Sequence, residues 1–79
     1  MDDIARFFLL FEEWEVADHA AARAECCLGR ALDAYCEGTG VAPSRAEIED
    51  MRQLRVAASQ RLRDIRALAE RARRNARVL

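Results

Sequence analysis

Three of the chain's four helix-interrupting residues, Gly38, Gly40 and Pro43, fall inside the short stretch EGTGVAPS from Glu37 to Ser44; the fourth is Gly29. On both sides of that stretch the sequence is rich in Ala, Leu, Arg and Glu, all strong helix formers. The pattern predicts an all-α fold: one domain over 1–79, with a helix over about 3–37, a turn over 38–43 and a second helix over about 44–78. Asp2 or Asp3 is placed to cap the first helix, which is expected to end at Gly38 or Gly40, where positive φ costs glycine little. Ser44 followed by Glu47, with Pro43 just before them, reads as a capping box that starts the second helix. Two helices of similar length joined by a short turn can only return antiparallel, as a helical hairpin.

Apolar spacing supports a coiled-coil-like seam. Phe7, Leu10, Trp14, Ala17, Ala21, Ala24, Leu28, Ala31 and Tyr35 alternate at three and four residues. Ala58, Leu62, Ile65, Ala69, Ala72, Ala76 and Leu79 do the same, with Ile48, Met51 and Leu54 upstream at spacing three. With the turn centred near residue 41, facing residues should sum to about 82 or 83, which sets large side chains mostly against small ones. The charges divide in parallel with the helices. Residues 1–40 carry nine acids and three Arg, whereas residues 41–79 carry five acids and ten Arg, for a net charge of −1. Glu15, Asp18, Glu25, Asp33 and Glu37 form a stripe on the first helix, and Arg45, Arg52, Arg55, Arg63, Arg66, Arg73, Arg74 and Arg77 form one on the second. The numbering pairs Glu15 with Arg66, Asp18 with Arg63, Glu25 with Arg55, Asp33 with Arg52 and Glu37 with Arg45, either within one hairpin or between two subunits.

The run FFLLF, Phe7 to Phe11, exceeds what one seam can cover. At 100° per residue, five large apolar side chains surround the helix, and a single partner helix hides one stripe. A chain of 79 residues is also short for an independent core. These two facts point to a second interface. Its candidate residues are Ile4, Phe7, Phe8, Phe11, Leu32, Val56 and Leu68, and the simplest closed arrangement is a homodimer forming a four-helix bundle. Docking of another protein on the same residues is the sharper alternative. Membrane-surface binding fits poorly, because Asp2, Asp3, Glu12, Glu13 and Glu15 beside the run would be repelled by anionic lipid.

Signs of catalysis, cofactor binding or metal binding are lacking in the sequence. The single His19 has Glu15 and Arg23 one turn away, an arrangement typical of a solvated ion-pair face. The Glu-x-x-His motif of di-metal bundles is absent, since Val16 stands three residues before His19. GTG lacks the Gly-Lys-Ser/Thr ending of a phosphate loop. Cys26, Cys27 and Cys36 are an odd number with two adjacent; they read as buried small apolar residues in a reducing, cytoplasmic setting. All thirteen basic residues are Arg and Ala is abundant, a bias that fits a GC-rich bacterial genome. The expected function is therefore a small non-enzymatic protein–protein interaction module of the adaptor, co-chaperone or regulator type. The alternative is nucleic-acid binding through Arg55, Arg63, Arg66, Arg73, Arg74 and Arg77, against which stand the matching acidic stripe and a pI of 5.8.

Overall fold

The computed structural model describes residues 3–78, with side chains described through residue 76. It consists of α1 (Asp3–Cys36) and α2 (Arg45–Val78), each of 34 residues, packed side by side as a hairpin. The all-α fold read from composition and punctuation is the fold observed. The molecule is a rod of 63 × 18 × 17 Å with a radius of gyration of 18.1 Å, whereas a compact chain of this length has about 12 Å. Asp3 is the first helical residue, and the alternative cap Asp2 lies outside the described residues.

Helix α1 ends through backbone geometry that glycine makes possible. Gly38 takes a φ of +79°; its N–H donates to the Tyr35 carbonyl at 3.0 Å, and the Thr39 N–H donates to the Ala34 carbonyl at 2.9 Å. This pair of bonds is a Schellman cap, and it satisfies two carbonyls that the last turn would leave unpaired. The Thr39 hydroxyl adds a bond to the same Ala34 oxygen at 3.1 Å. Gly40 is needed for a different reason. A Cβ there would stand 3.0 Å from the Ala34 Cβ, so the returning backbone lies directly on the last turn of α1. At the start of α2 the Glu47 N–H donates to the Ser44 hydroxyl at 3.1 Å, and the Ile48 N–H to the Ser44 carbonyl at 3.1 Å. This is half of the expected capping box, because the Glu47 carboxylate makes no return bond to the Ser44 N–H.

The seam is thin. Among the described residues only Ala21, Ala58, Ile65 and Leu68 are buried, and none of the larger side chains is fully enclosed. Phe7, Leu10, Trp14, Ala17, Ala24, Leu28, Ala31, Met51 and Leu62 are half-buried along the same line, as the apolar spacing requires. Three expectations need correction. Leu68, assigned to a second interface, is 5% exposed and belongs to the hairpin's own core, while its neighbour Ala69 is exposed. Leu68 and Ala69 are neighbours at this level, and the larger side chain takes the buried position because it removes more apolar surface from water. Tyr35, Ile48 and Leu54 leave the seam open toward the turn, where all three are exposed. Ala72 and Ala76 are also exposed, and Leu79 lies outside the described residues.

The register is shifted as well. Arg61, expected level with residues 21–22, bonds Glu13 instead, and Arg55 reaches Asp18 as well as Glu25. Both changes set α2 residues against α1 residues nearer the open end. The cause is the turn: at Gly40 the chain is already level with Ala34, and four more residues pass before α2 begins, so α2 starts further back along α1.

Candidate interaction surface

The ion pairs identify the two flanks of the hairpin. On one, the Arg55 guanidinium bridges two turns of α1: Nη1 donates to Asp18 Oδ1 at 2.8 Å, Nε donates to Glu25 Oε2 at 3.2 Å, and Nη2 donates to Glu25 Oε1. The forked contact with Glu25 matches guanidinium to carboxylate geometry. These bonds hold the Glu25 carboxyl below its ordinary pKa and raise that of Arg55 further, through the bond to Glu25 first and to Asp18 second. On the opposite flank Arg61 Nη1 donates to Glu13 Oε2 at 2.8 Å, beside a shallow groove lined by Leu9, Val16, Ala17 and Ala57.

Of the five expected charge pairs only Glu25 with Arg55 forms within the hairpin. Asp18 joins the same arginine instead of Arg63. Arg52 and Arg73 take partners on their own helix, Glu49 at 3.9 Å and Glu70 at 2.7 Å. Glu15, Asp33, Arg45, Arg63, Arg66 and Arg74 make no ion pair among the described residues, and the Arg77 side chain lies outside them. Two acids converge on one guanidinium because Asp18 and Glu25, two turns apart, flank its level once the register has shifted; the remaining arginines point further from the seam.

The apolar candidates collect on the Arg55 flank. At 100° per residue, Ile4 and Phe11 lie on the same side of α1 as Asp18 and Glu25, with Phe8 at the outer edge and Leu32 nearer the seam; Val56 follows Arg55 outward on α2. Phe8 is 61% exposed, Phe11 38% and Val56 62%, and Ile4 and Leu32 are exposed too. The rings of FFLLF shield one another in part. Phe7 meets Phe8 edge-on at 6.1 Å, stacks on Phe11 at 6.4 Å, and Phe11 tilts against Trp14 at 5.5 Å. Such aromatic contacts each contribute about 0.5–1.5 kcal/mol. Phe7 itself is half-buried and joins seam to surface. Between the helix ends Ile4, Phe7, Phe8, Leu68, Ala69 and Ala72 line an open apolar groove of about 350 Å³. The alanines explain the exposure: α2 offers little side chain at the level where α1 is largest.

His19 is exposed and holds no ion pair with Glu15. Cys26, Cys27 and Cys36 are free thiols and all exposed, which corrects their reading as buried small residues. Their positions turn away from the single seam a hairpin provides. Among the described residues no three of His, Cys, Asp and Glu converge as a metal site would require, and no helix is long and apolar enough to cross a membrane. Comparison with family models, curated proteins and solved structures finds no match to this chain.

Proposed function

We propose that this hairpin is a non-enzymatic protein–protein interaction module, of the adaptor, co-chaperone or regulator type, working in a bacterial cytoplasm as a homodimeric four-helix bundle. The observation that carries the reading is the exposed apolar edge of Ile4, Phe8 and Phe11 on a rod with only four buried residues among those described. Surface area supports it. One chain exposes 6364 Å², against about 4,900 Å² for a compact protein of its 9.0 kDa. Two separate chains expose about 12,700 Å², whereas a compact protein of twice the mass exposes about 8,000 Å². The difference is an upper figure for a rod, and it falls in the range of roughly 2,000–5,000 Å² buried by obligate homodimers.

Sedimentation equilibrium of a Phe8→Asp/Phe11→Asp variant tests the proposal. The expected product is a 9.0 kDa monomer or an unfolded chain. A variant that keeps the wild-type assembly would contradict it.

A second reading, nucleic-acid binding by α2, draws on the exposed Arg63, Arg66 and Arg74, which have no carboxylate partner among the described residues. Arg55 and Arg73, already engaged by acids, add little to it. This reading expects retarded mobility of mixed-sequence RNA or DNA at low salt, relieved by Arg66→Glu; no shift removes it.

A further inference from the structure

We infer that the two copies lie side by side and point the same way, with the twofold axis along the rods and the Arg55 flanks facing each other. This rests on the homodimer reading above. On that flank each hairpin shows an acidic α1 beside a basic α2, as the Arg55 bridge to Asp18 and Glu25 establishes. Turning one hairpin by 180° about an axis along its length lays its α2 over the other copy's α1. The acidic stripe then faces an arginine stripe on both sides of the axis, and every neighbouring pair of helices is antiparallel.

The groups left over inside one hairpin fit this alignment. Glu15 lies level, within about a turn, with Arg63, as the Glu13–Arg61 bond beside them shows. Neither Glu15 nor Arg63 has an ion pair among the described residues. Across the interface Glu15 of one copy meets Arg63 or Arg66 of the other. At the open end the Phe8–Phe11 edge of each copy comes against the other copy's α2, where the Ala69 and Ala72 positions leave room for it.

The opposed alignment, with the axis across the rods, fails on charge. It lays α1 on α1 and α2 on α2, so that Glu15 approaches Glu25 and Arg52 approaches Arg63. Like charges face each other along the middle of the interface, an arrangement that is unfavourable and selects against that pairing. An end-to-end dimer would cover the phenylalanines but leave both stripes unmatched.

Cys36, exposed at the turn end on this flank, provides the test. A Cys26→Ser/Cys27→Ser variant, changed only at exposed positions, carries a nitroxide spin label on Cys36. Pulsed electron–electron spin resonance then reads the distance between the labels, and light scattering on the same sample reads its mass. The same-direction dimer places the labels within about 25 Å, since neighbouring helices are 8–10 Å apart. The opposed dimer places them about 50 Å apart, from 1.5 Å per residue over twice the half-length of α1, and the end-to-end dimer further still. A dimer with labels at about 50 Å or beyond overturns the orientation and leaves the homodimer standing. A folded monomer overturns both.

Discussion

The middle of the hairpin and its open end are built from the same two helices, yet only the middle is closed. At the middle Ala21 and Ala58 are 0% and 1% exposed, and a guanidinium ties the helices together beside them. At the open end Phe8 is 61% exposed and faces a stretch where α2 supplies Ala69 and Ala72. Small residues on both helices let the backbones approach until nothing is left to cover. Large residues on one helix opposite small ones on the other complete a seam only on the side that faces it, and Phe7 and Leu10 already occupy that side. The apolar excess on α1 is therefore left uncovered by the hairpin itself.

The sharpest way to break this comparison is to charge the two outer sides of FFLLF separately. Phe8→Asp should raise the dimer dissociation constant by more than about 100-fold, roughly the 3 kcal/mol expected for a buried phenylalanine. Leu9→Asp, on the flank away from Arg55, should change it by less than about tenfold; both are read by dilution in sedimentation equilibrium. Equal effects would mean that the Arg55 flank has no special role. Next in size is the core: Leu68→Ala should destabilise the fold by about 2–4 kcal/mol in urea unfolding, through lost burial and a residual cavity. In the closed middle the sign of the volume change reverses. Ala58→Leu should cost about 1–3 kcal/mol by overpacking where Ala21 leaves no space.

Smaller effects belong to the cap and the charges. Ser44→Ala removes the acceptor for the Glu47 N–H and should cost about 1 kcal/mol. Glu25 titrates below its unfolded-state value because Arg55 donates hydrogen bonds to its ionised form. Its contribution is complete above the unfolded value and is lost as pH falls through the folded one. Acid titration of unfolding for Glu25→Gln should lack that component of the wild-type curve. Smallest of all, Arg63→Glu should lower hairpin stability by at most about 0.5 kcal/mol, as exposed pairs do. Its effect on dimerisation should be several-fold and be restored by Glu15→Arg.

Much of this was legible in the sequence, because punctuation and periodicity act locally. Gly38 and Ser44 marked the helix ends through backbone chemistry that needs no partner, and the exposure of Ile4, Phe8, Phe11, Leu32 and Val56 followed from their angular positions. The register was not legible. It depends on how far the chain travels between Gly38 and Arg45, and the close approach of Gly40 to Ala34 is a three-dimensional fact with no sequence signal beyond the glycine itself. The charge pairing went astray for the same reason. The shifted register brings two acids to Arg55, and counting opposite numbers gives each arginine one. Leu68 was misplaced because strict heptad counting gives the buried position to its small neighbour Ala69, and the cysteines because a two-helix seam has too few interior positions to receive them.

The central claim, that FFLLF is covered by a second copy of this chain, is tested most directly by light scattering on the wild-type protein across a concentration series under reducing conditions, with helicity followed on the same samples. The account predicts twice the 9.0 kDa chain mass, falling on dilution together with loss of helix. A fully helical species of 9.0 kDa that holds its mass across the series would contradict it.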